Sequence, residues 1–320
     1  MIKEVIKSFS QFNFFFLILE RKMPTLYDYK NLKLLGKGNF GATYLASDKN
    51  GKLVALKMID VGESRLKGVE FNSIMFEIDA LAHLSANPKC YPYIACYYDY
   101  FRENMGGYDT IFIVSEYVEG PSFSDIIEHT KKINQALPNG TMLKYMYCLI
   151  SAIHYIHKMG FAHRDIKPDN IILQSNIDAP KLIDFGLACM QDAKNKFGSC
   201  RAHVGTPYWM PPETDILEPE DINIKTAQAQ DVWSLGVVFY ELTNLKFPFV
   251  LPEDAGFEDL MDAISNPLIP SHYNSNTPIV DNIINDTIDW QLTQDWEFRV
   301  TADETLEFLN DKIREKNIDL

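Results

Sequence analysis

The sequence predicts an α+β fold, β-rich in its first part and helical in its second, with the join near residue 118. Three observations point there. Short runs of strand character, broken by a turn signal, fill residues 28–60. A continuous apolar run, IFIVSEYVEG at 111–120, reads as a buried strand and stops at a Gly-Pro break. Beyond it, apolar residues recur at helical spacing over long windows.

The elements follow in order. NLKLLG and ATYLASD read as strands, and LVALKMI follows the hairpin turn signal KNG at 49–51. A side-chain period of two puts Leu53, Ala55 and Lys57 on one face of that strand. A lysine among small apolar groups needs an anionic partner, unless it sits at a solvated edge. Residues 69–84 read as a helix, with Ile74, Ile78 and Leu81 spaced by four and three and Glu77 beside that stripe. TMLKYMYCLISAIHYIHKMG, 141–160, predicts a helix with Leu143, Met146, Ile150, Ile153 and His157 on one face and Gly160 at its end. DVWSLGVVFYEL, 231–242, predicts another apolar helix.

Composition narrows the classes. The 320 residues suit two lobes better than one core. An apolar content of 46% and an aromatic content of 12% fit a globular chain. The net charge of -14 argues against non-specific nucleic-acid binding; it suits basic partners or simply a solvated acidic surface. Cys90, Cys96, Cys148, Cys189 and Cys200 form no CxxC pair and are expected as reduced thiols of a cytoplasmic or nuclear protein. The run FNFFFLIL near the start is shorter than the roughly 20 residues a membrane span takes, so no membrane span is expected. No small-residue cleavage site follows it, as ERK closes the run. It is expected to dock on the domain, or to lie before a start at Met23.

Chemistry concentrates in two places. HRDIKPDN at 163–170 crowds charged groups between apolar segments, and IILQ, SNIDAP and KLIDFG follow as a strand, a turn and a strand. The open end of that hairpin brings Asn170 and Asp184 together, two oxygen donors suited to a hard cation such as magnesium. Asp165 and Lys167 lie just upstream. The second place is GKGNFGAT, where glycines at 36, 38 and 41 join two strands. Such a hairpin lets backbone amides approach phosphates, whereas a dinucleotide-binding glycine motif would open a helix.

These motifs, in this order, resemble the eukaryotic protein kinase family and specifically its serine/threonine branch, over roughly residues 28–312. GKGNFGAT resembles the glycine-rich loop, VALK the phosphate lysine, HRDIKPDN the catalytic loop and DFG at 184–186 the metal motif. GTPYWMPPE is similar to the end of the activation segment, and DVWSLG to the anchor helix after it. EFRVTADETLEFL supplies Arg299, whose family partner would be Glu213. The resemblance implies a two-lobed fold, with lobes 28–117 and 118–312, an extension 1–27 and a tail 313–320.

It also implies the roles. Asp165 takes or orients the substrate hydroxyl proton, and Lys167 steadies the transferring phosphoryl group. Lys57 grips ATP phosphates and is held by Glu77, twenty residues on (77 − 57). Asn170 and Asp184 hold Mg2+. The ATP site takes Leu35, Gly36, Lys37, Gly38, Asn39, Phe40, Gly41, Ala42 and Thr43, then Ala55 and Ile172 around adenine, with Glu116 and Val118 at its edge. His163 packs against Phe185. Departures are Thr43 for the usual valine, PPE for APE, and a small Ser115 at the position that gates the rear of the pocket. Ser122, where basophilic relatives often carry an acid, weakens a claim to arginine-directed substrates.

By the same resemblance, Arg164 implies a grip on a phosphate of the segment from Asp184 to Glu213, with Ser199 the leading acceptor and Lys194, Lys196 and Arg201 as helpers. The partners implied are protein substrates and an upstream activating kinase or autophosphorylation. The alternatives are a kinase-fold scaffold or allosteric binder and a small-molecule kinase. Completeness of the motif set speaks against the first, and GTPYWMPPE, a peptide-docking feature of the family, against the second.

Overall fold

A computed structural model describes residues 24–38, 41–66, 71–86, 90–190, 200, 203–250, 256–265, 274 and 277–320. The α+β class stands. The chain forms two compact units: the described parts of Met1–Gly68 with Tyr98–Ser115, and of Val69–Tyr97 with Glu116–Leu320.

The first unit is built on one five-stranded sheet of β1 (Lys30–Gly38), β2 (Gly41–Ser47), β3 (Leu53–Asp60), β4 (Tyr97–Met105) and β5 (Tyr108–Glu116), in the order β1-β2-β3-β5-β4. The KNG signal is the β2–β3 turn. The Asp48 carboxylate accepts from the Asn50 and Lys52 amides, each at 2.8 Å, and Gly51 takes φ 82°. Gly106 and Gly107, both at positive φ, turn β4 into β5. Val54 and Leu56 point into a core with Ala46, Phe101, Phe112 and Val114, while Leu53, Ala55 and Lys57 take the other face of β3, as the period of two requires. Phe101 stacks on Phe112 at 4.7 Å and on Tyr29 at 5.5 Å.

The helices are α1 (Val61–Leu66), α2 (Phe71–Leu84), α3 (Phe123–Ile133), α4 (Asn139–Lys158), α5 (Glu213–Ile216), α6 (Ile224–Asn244), α7 (Phe257–Ser265), α8 (Pro278–Gln291) and α9 (Ala302–Lys316). All but α1 lie in the second unit. The stripe Ile74, Ile78 and Leu81 of α2 is buried, and Glu77 is buried with it. Residues 67–70, where the helix was expected to begin, lie outside the described residues. Along α4, Leu143, Met146, Ile150 and Ile153 are buried, and the Gly160 amide, at φ 83°, donates to the His157 carbonyl and closes the helix. The α6 helix starts seven residues before the expected 231 (231 − 224), because a polar first turn hides its start from an apolar count. Its start is written instead as a capping box, in which Asn223 Oδ1 accepts from the Lys225 amide and the Asn223 amide donates to Thr226 Oγ1. Ser122 caps α3 through the Asp125 amide, so it has a structural use of its own.

Two short pairings carry the site: β6 (Phe161–Ala162) with β9 (Cys189–Met190), and β7 (Ile171–Gln174) with β8 (Ala179–Leu182) as a hairpin. One expectation is corrected. The cysteines are not all free thiols: Cys189 is bonded to Cys200 and Cys90 to Cys96, with Cα atoms 5.2 and 5.8 Å apart, and only Cys148 is free. Folding brings these partners together, and the lack of CxxC spacing says nothing about such meetings. Among the described residues no helix is long and apolar enough to cross a membrane. FNFFFLIL lies outside them.

Candidate active site

The loop 163–170 is held from below by one buried carboxylate. Asp231, at 0% exposure on α6, accepts from the His163 amide at 2.8 Å and the Arg164 amide at 2.7 Å, and lies 2.9 Å from His157 Nε2. These bonds support a left-handed backbone at Arg164, φ 65°, a conformation that costs a non-glycine residue about 1–3 kcal/mol. The sequence reading treated 231–242 only as an anchor helix and missed this carboxylate. The available signal was an aspartate opening an otherwise apolar run.

Above it, three side chains close a triangle. Thr206 Oγ1 donates to Asp165 Oδ1 at 2.7 Å, Lys167 Nζ donates to Thr206 Oγ1 at 2.8 Å, and Lys167 Nζ lies 2.9 Å from Asp165 Oδ2. A carboxylate so placed can accept a proton from a hydroxyl, and the ammonium can hold developing negative charge beside it. The Asp165 and Lys167 side chains are 14% and 22% exposed, so the pair is partly desolvated yet within reach of a ligand.

Asn170 and Asp184 sit where the hairpin predicts. The 3₁₀ turn Pro168–Asn170 enters β7, Ile171 pairs with Leu182, and the Ile183 amide donates to the Asn170 carbonyl at 2.9 Å. Both hydrogens of Asn170 Nδ2 go to Asp165, to its carbonyl at 2.8 Å and its Oδ2 at 2.9 Å. That commits the amide nitrogen and leaves Oδ1 as the donor for a cation. Asp184 is also left-handed, φ 62°, and its Oδ1 accepts from the Gly186 amide at 3.2 Å. Amide oxygen plus carboxylate is a hard-oxygen donor set that fits Mg2+. Phe185, 1% exposed, packs on the His163 ring at 4.8 Å, the contact expected from the resemblance.

The segment after DFG departs from expectation. Arg164 Nε donates to the Leu187 carbonyl at 2.8 Å and Nη1 to the Cys200 carbonyl at 3.2 Å, so these carbonyls are partners the phosphate expectation had not foreseen. Burial pulls this guanidinium down to about 10, against the opposing charge of Asp231. Ser199, Lys194, Lys196 and Arg201 lie outside the described residues. Gly205, φ 132°, is obligatory: a Cβ there would lie 2.9 Å from the Arg164 carbonyl oxygen. Farther along, Arg299 and Glu213 form the expected pair, Nη1–Oε1 at 2.6 Å and Nη2–Oε2 at 2.8 Å, both buried.

Glu116 anchors the start of the second unit. Its carboxylate takes Lys181 Nζ at 2.6 and 2.7 Å and the Cys96 amide at 3.1 Å, and its own amide donates to the Cys96 carbonyl. Its backbone donor is therefore already used. Val118 is buried, and Ile172 of β7 bridges to Ser122. Gly120 allows that approach, since a Cβ would lie 1.8 Å from the Leu173 carbonyl oxygen.

In the first unit, β1 and β2 pair Gly36 with Thr43, Lys37 with Ala42 and Gly38 with Gly41, and β2 and β3 pair Thr43 with Lys57 and Leu45 with Ala55. Leu35 is half-exposed, and Asn39 and Phe40 lie outside the described residues.

Comparison with known proteins identifies the family. A model of the protein kinase domain matches residues 29–308. The serine/threonine-protein kinase ppk11 of Schizosaccharomyces pombe is 31% identical over 228 residues, 70% of this chain and 64% of that protein. CBL-interacting serine/threonine-protein kinase 20 of Arabidopsis thaliana is 32% identical over 69% of this chain and 46% of its own length. Serine/threonine-protein kinase Tao of Drosophila melanogaster is 35% identical over 69% of this chain and 19% of its own. The chain thus spans under two thirds of the length of these relatives. A domain match across most of the sequence, on a fold that gathers the catalytic loop as described, leaves one reading: the chain belongs to the protein kinase family.

Proposed function

We propose that the chain is a serine/threonine protein kinase that transfers the γ-phosphate of Mg-ATP to serine or threonine hydroxyls of protein substrates. The triangle of Asp165, Lys167 and Thr206 carries the reading. Asp165 orients the acceptor hydroxyl and takes its proton, while Lys167 offsets charge on the transferring phosphoryl oxygens. Asn170 and Asp184 would hold Mg2+, which when bound neutralises charge on the ATP phosphates. Lys57 and Glu77 serve the ATP phosphates, and the turn from Leu35 to Thr43 covers them. Ala55 and Ile172 flank adenine, and Glu116 and Val118 present backbone groups to its edge.

The kinase domain takes residues 28–312, with lobes 28–117 and 118–312. The chain works in the cytoplasm or nucleus, on protein substrates and not on nucleic acid, with an upstream kinase or autophosphorylation acting on the segment after DFG. The test is transfer of labelled γ-phosphate to general protein substrates. Asp165→Asn should lower it by about 100-fold or more while ATP still binds. Equal transfer by wild type and variant would overturn the reading, and ATP binding without transfer in the wild type would favour a scaffold.

A further inference from the structure

We propose that Cys189 and Cys200 form a redox-reversible clamp that sets the segment after DFG against the catalytic loop, so that oxidation raises activity. The clamp rests on the kinase reading above and adds a control to the same site.

Cys189 lies on β9 and pairs with Ala162 of β6, the strand that leads directly into His163, Arg164 and Asp165. The disulfide joins Cys200 to that strand pair. One guanidinium then binds the chain on both sides of the bond, since Arg164 donates to the Leu187 and Cys200 carbonyls. Six residues past Cys200 (206 − 200), Thr206 places its hydroxyl on Asp165. The position of residue 200 therefore sets where the stretch ending at Thr206 begins. Both sulfur-bearing residues are buried with Ala162 and Ala227 in one cluster. A bond across eleven positions removes conformations of the open chain that a single hydrogen bond from Arg164 does not. The clamp thus performs covalently the positioning that the family resemblance implies for a phosphate near Arg164.

The chemistry balances with a hydroperoxide as oxidant. One thiolate attacks the peroxide oxygen and becomes a sulfenic acid as water (or an alcohol) leaves. The second thiol attacks that sulfur, forms the S–S bond and releases water. Two thiols and one hydrogen peroxide give one disulfide and two waters. A dithiol reductant returns two electrons and two protons and reopens it. In a reducing compartment the clamp is open until peroxide arrives.

The test uses the full chain as wild type, Cys189→Ser and Cys200→Ser, each treated with hydrogen peroxide or dithiothreitol. Lys194 and Lys196 lie between the cysteines, so trypsin separates the two peptides unless the bond joins them. Mass analysis without reduction therefore reads the bond directly. Hydrogen exchange of 161–167 and 203–210 reads the clamp, and phosphate transfer reads its effect. Oxidised wild type should show linked peptides, slower exchange, and transfer about tenfold faster than its reduced form. Both serine variants should behave as reduced wild type under either treatment. Unlinked peptides after peroxide, a bond that dithiothreitol opens only on unfolding, or oxidised transfer no faster than that of the variants would each overturn the proposal. If no form transfers phosphate, the kinase reading fails separately and exchange still decides: slowing confined to oxidised wild type supports the clamp, and equal exchange sinks it.

Discussion

A Cβ on Gly41, φ 149°, would lie 2.1 Å from the Met58 carbonyl oxygen, whereas one on Gly38 would meet nothing within 4 Å. The two glycines belong to one motif but answer to different causes. Gly41 is demanded by the close approach of β2 to β3, whereas nothing in the fold itself demands Gly38. Gly41→Ala should cost at least about 2 kcal/mol of stability, measured by denaturant unfolding. Gly38→Ala should stay within about 0.5 kcal/mol and instead raise the KM for ATP. Arg164 and Asp184 carry the same lesson for non-glycine residues. Each holds a left-handed backbone beside the catalytic loop, and the Asp231 bonds show what sustains Arg164 there. The motif letters were legible in the sequence. Which letter is strained, and what holds it, was not, because strain belongs to backbone angles that several distant groups impose together.

Helix ends show a different mixture of local and distant causes. Thr301 caps α9 through a box with Glu304: Thr301 Oγ1 accepts from the Glu304 amide, and the Glu304 carboxylate accepts from the Thr301 amide and hydroxyl. Those bonds, the amide first, hold the Glu304 carboxyl below its ordinary value. A lowered folded value means stability that is present above the unfolded pKa of 4.5 and is lost as pH falls through the folded one. Thr301→Ala should therefore cost about 1 kcal/mol near neutral pH, with a smaller penalty in acid, as thermal melts at two pH values would read. The sequence TADE carries this cap openly. The start of α6 was less legible, because its polar first turn matches no apolar stripe. Only the contacts of its later turns, such as Gly236 against Gln291 and Leu292, show why the run from Asp231 to Thr243 is buried.

Across the chain, the Arg299–Glu213 pair ties residues 86 apart in sequence. Arg299 also donates to the carbonyls of Thr293, Ala229 and Gln294 and lies 4.9 Å from the Trp233 ring centre. Arg299→Ala would leave the Glu213 carboxylate buried without its partner. It should cost about 3–5 kcal/mol, visible as a lower urea midpoint. Arg299→Lys should recover little, since an ammonium cannot make the two-pronged contact or replace the lost donors.

By itself the sequence determined the α+β class, the strands and long helices that carry the motifs, the family, and several of the residues that meet at the catalytic loop. Those follow from periodicity, from turn chemistry and from motifs only a few residues long, such as the hairpin that sets Asn170 beside the strand ending before Asp184. The tertiary structure decided the rest: that Asp231 organises the loop from below, that Arg164 turns to the Leu187 and Cys200 carbonyls, and that Cys189 meets Cys200. The physical reason is range. Propensity and pattern act over one or two turns of chain, while a buried carboxylate, a guanidinium or a thiol takes the partner that packing brings to it, from any distance along the sequence.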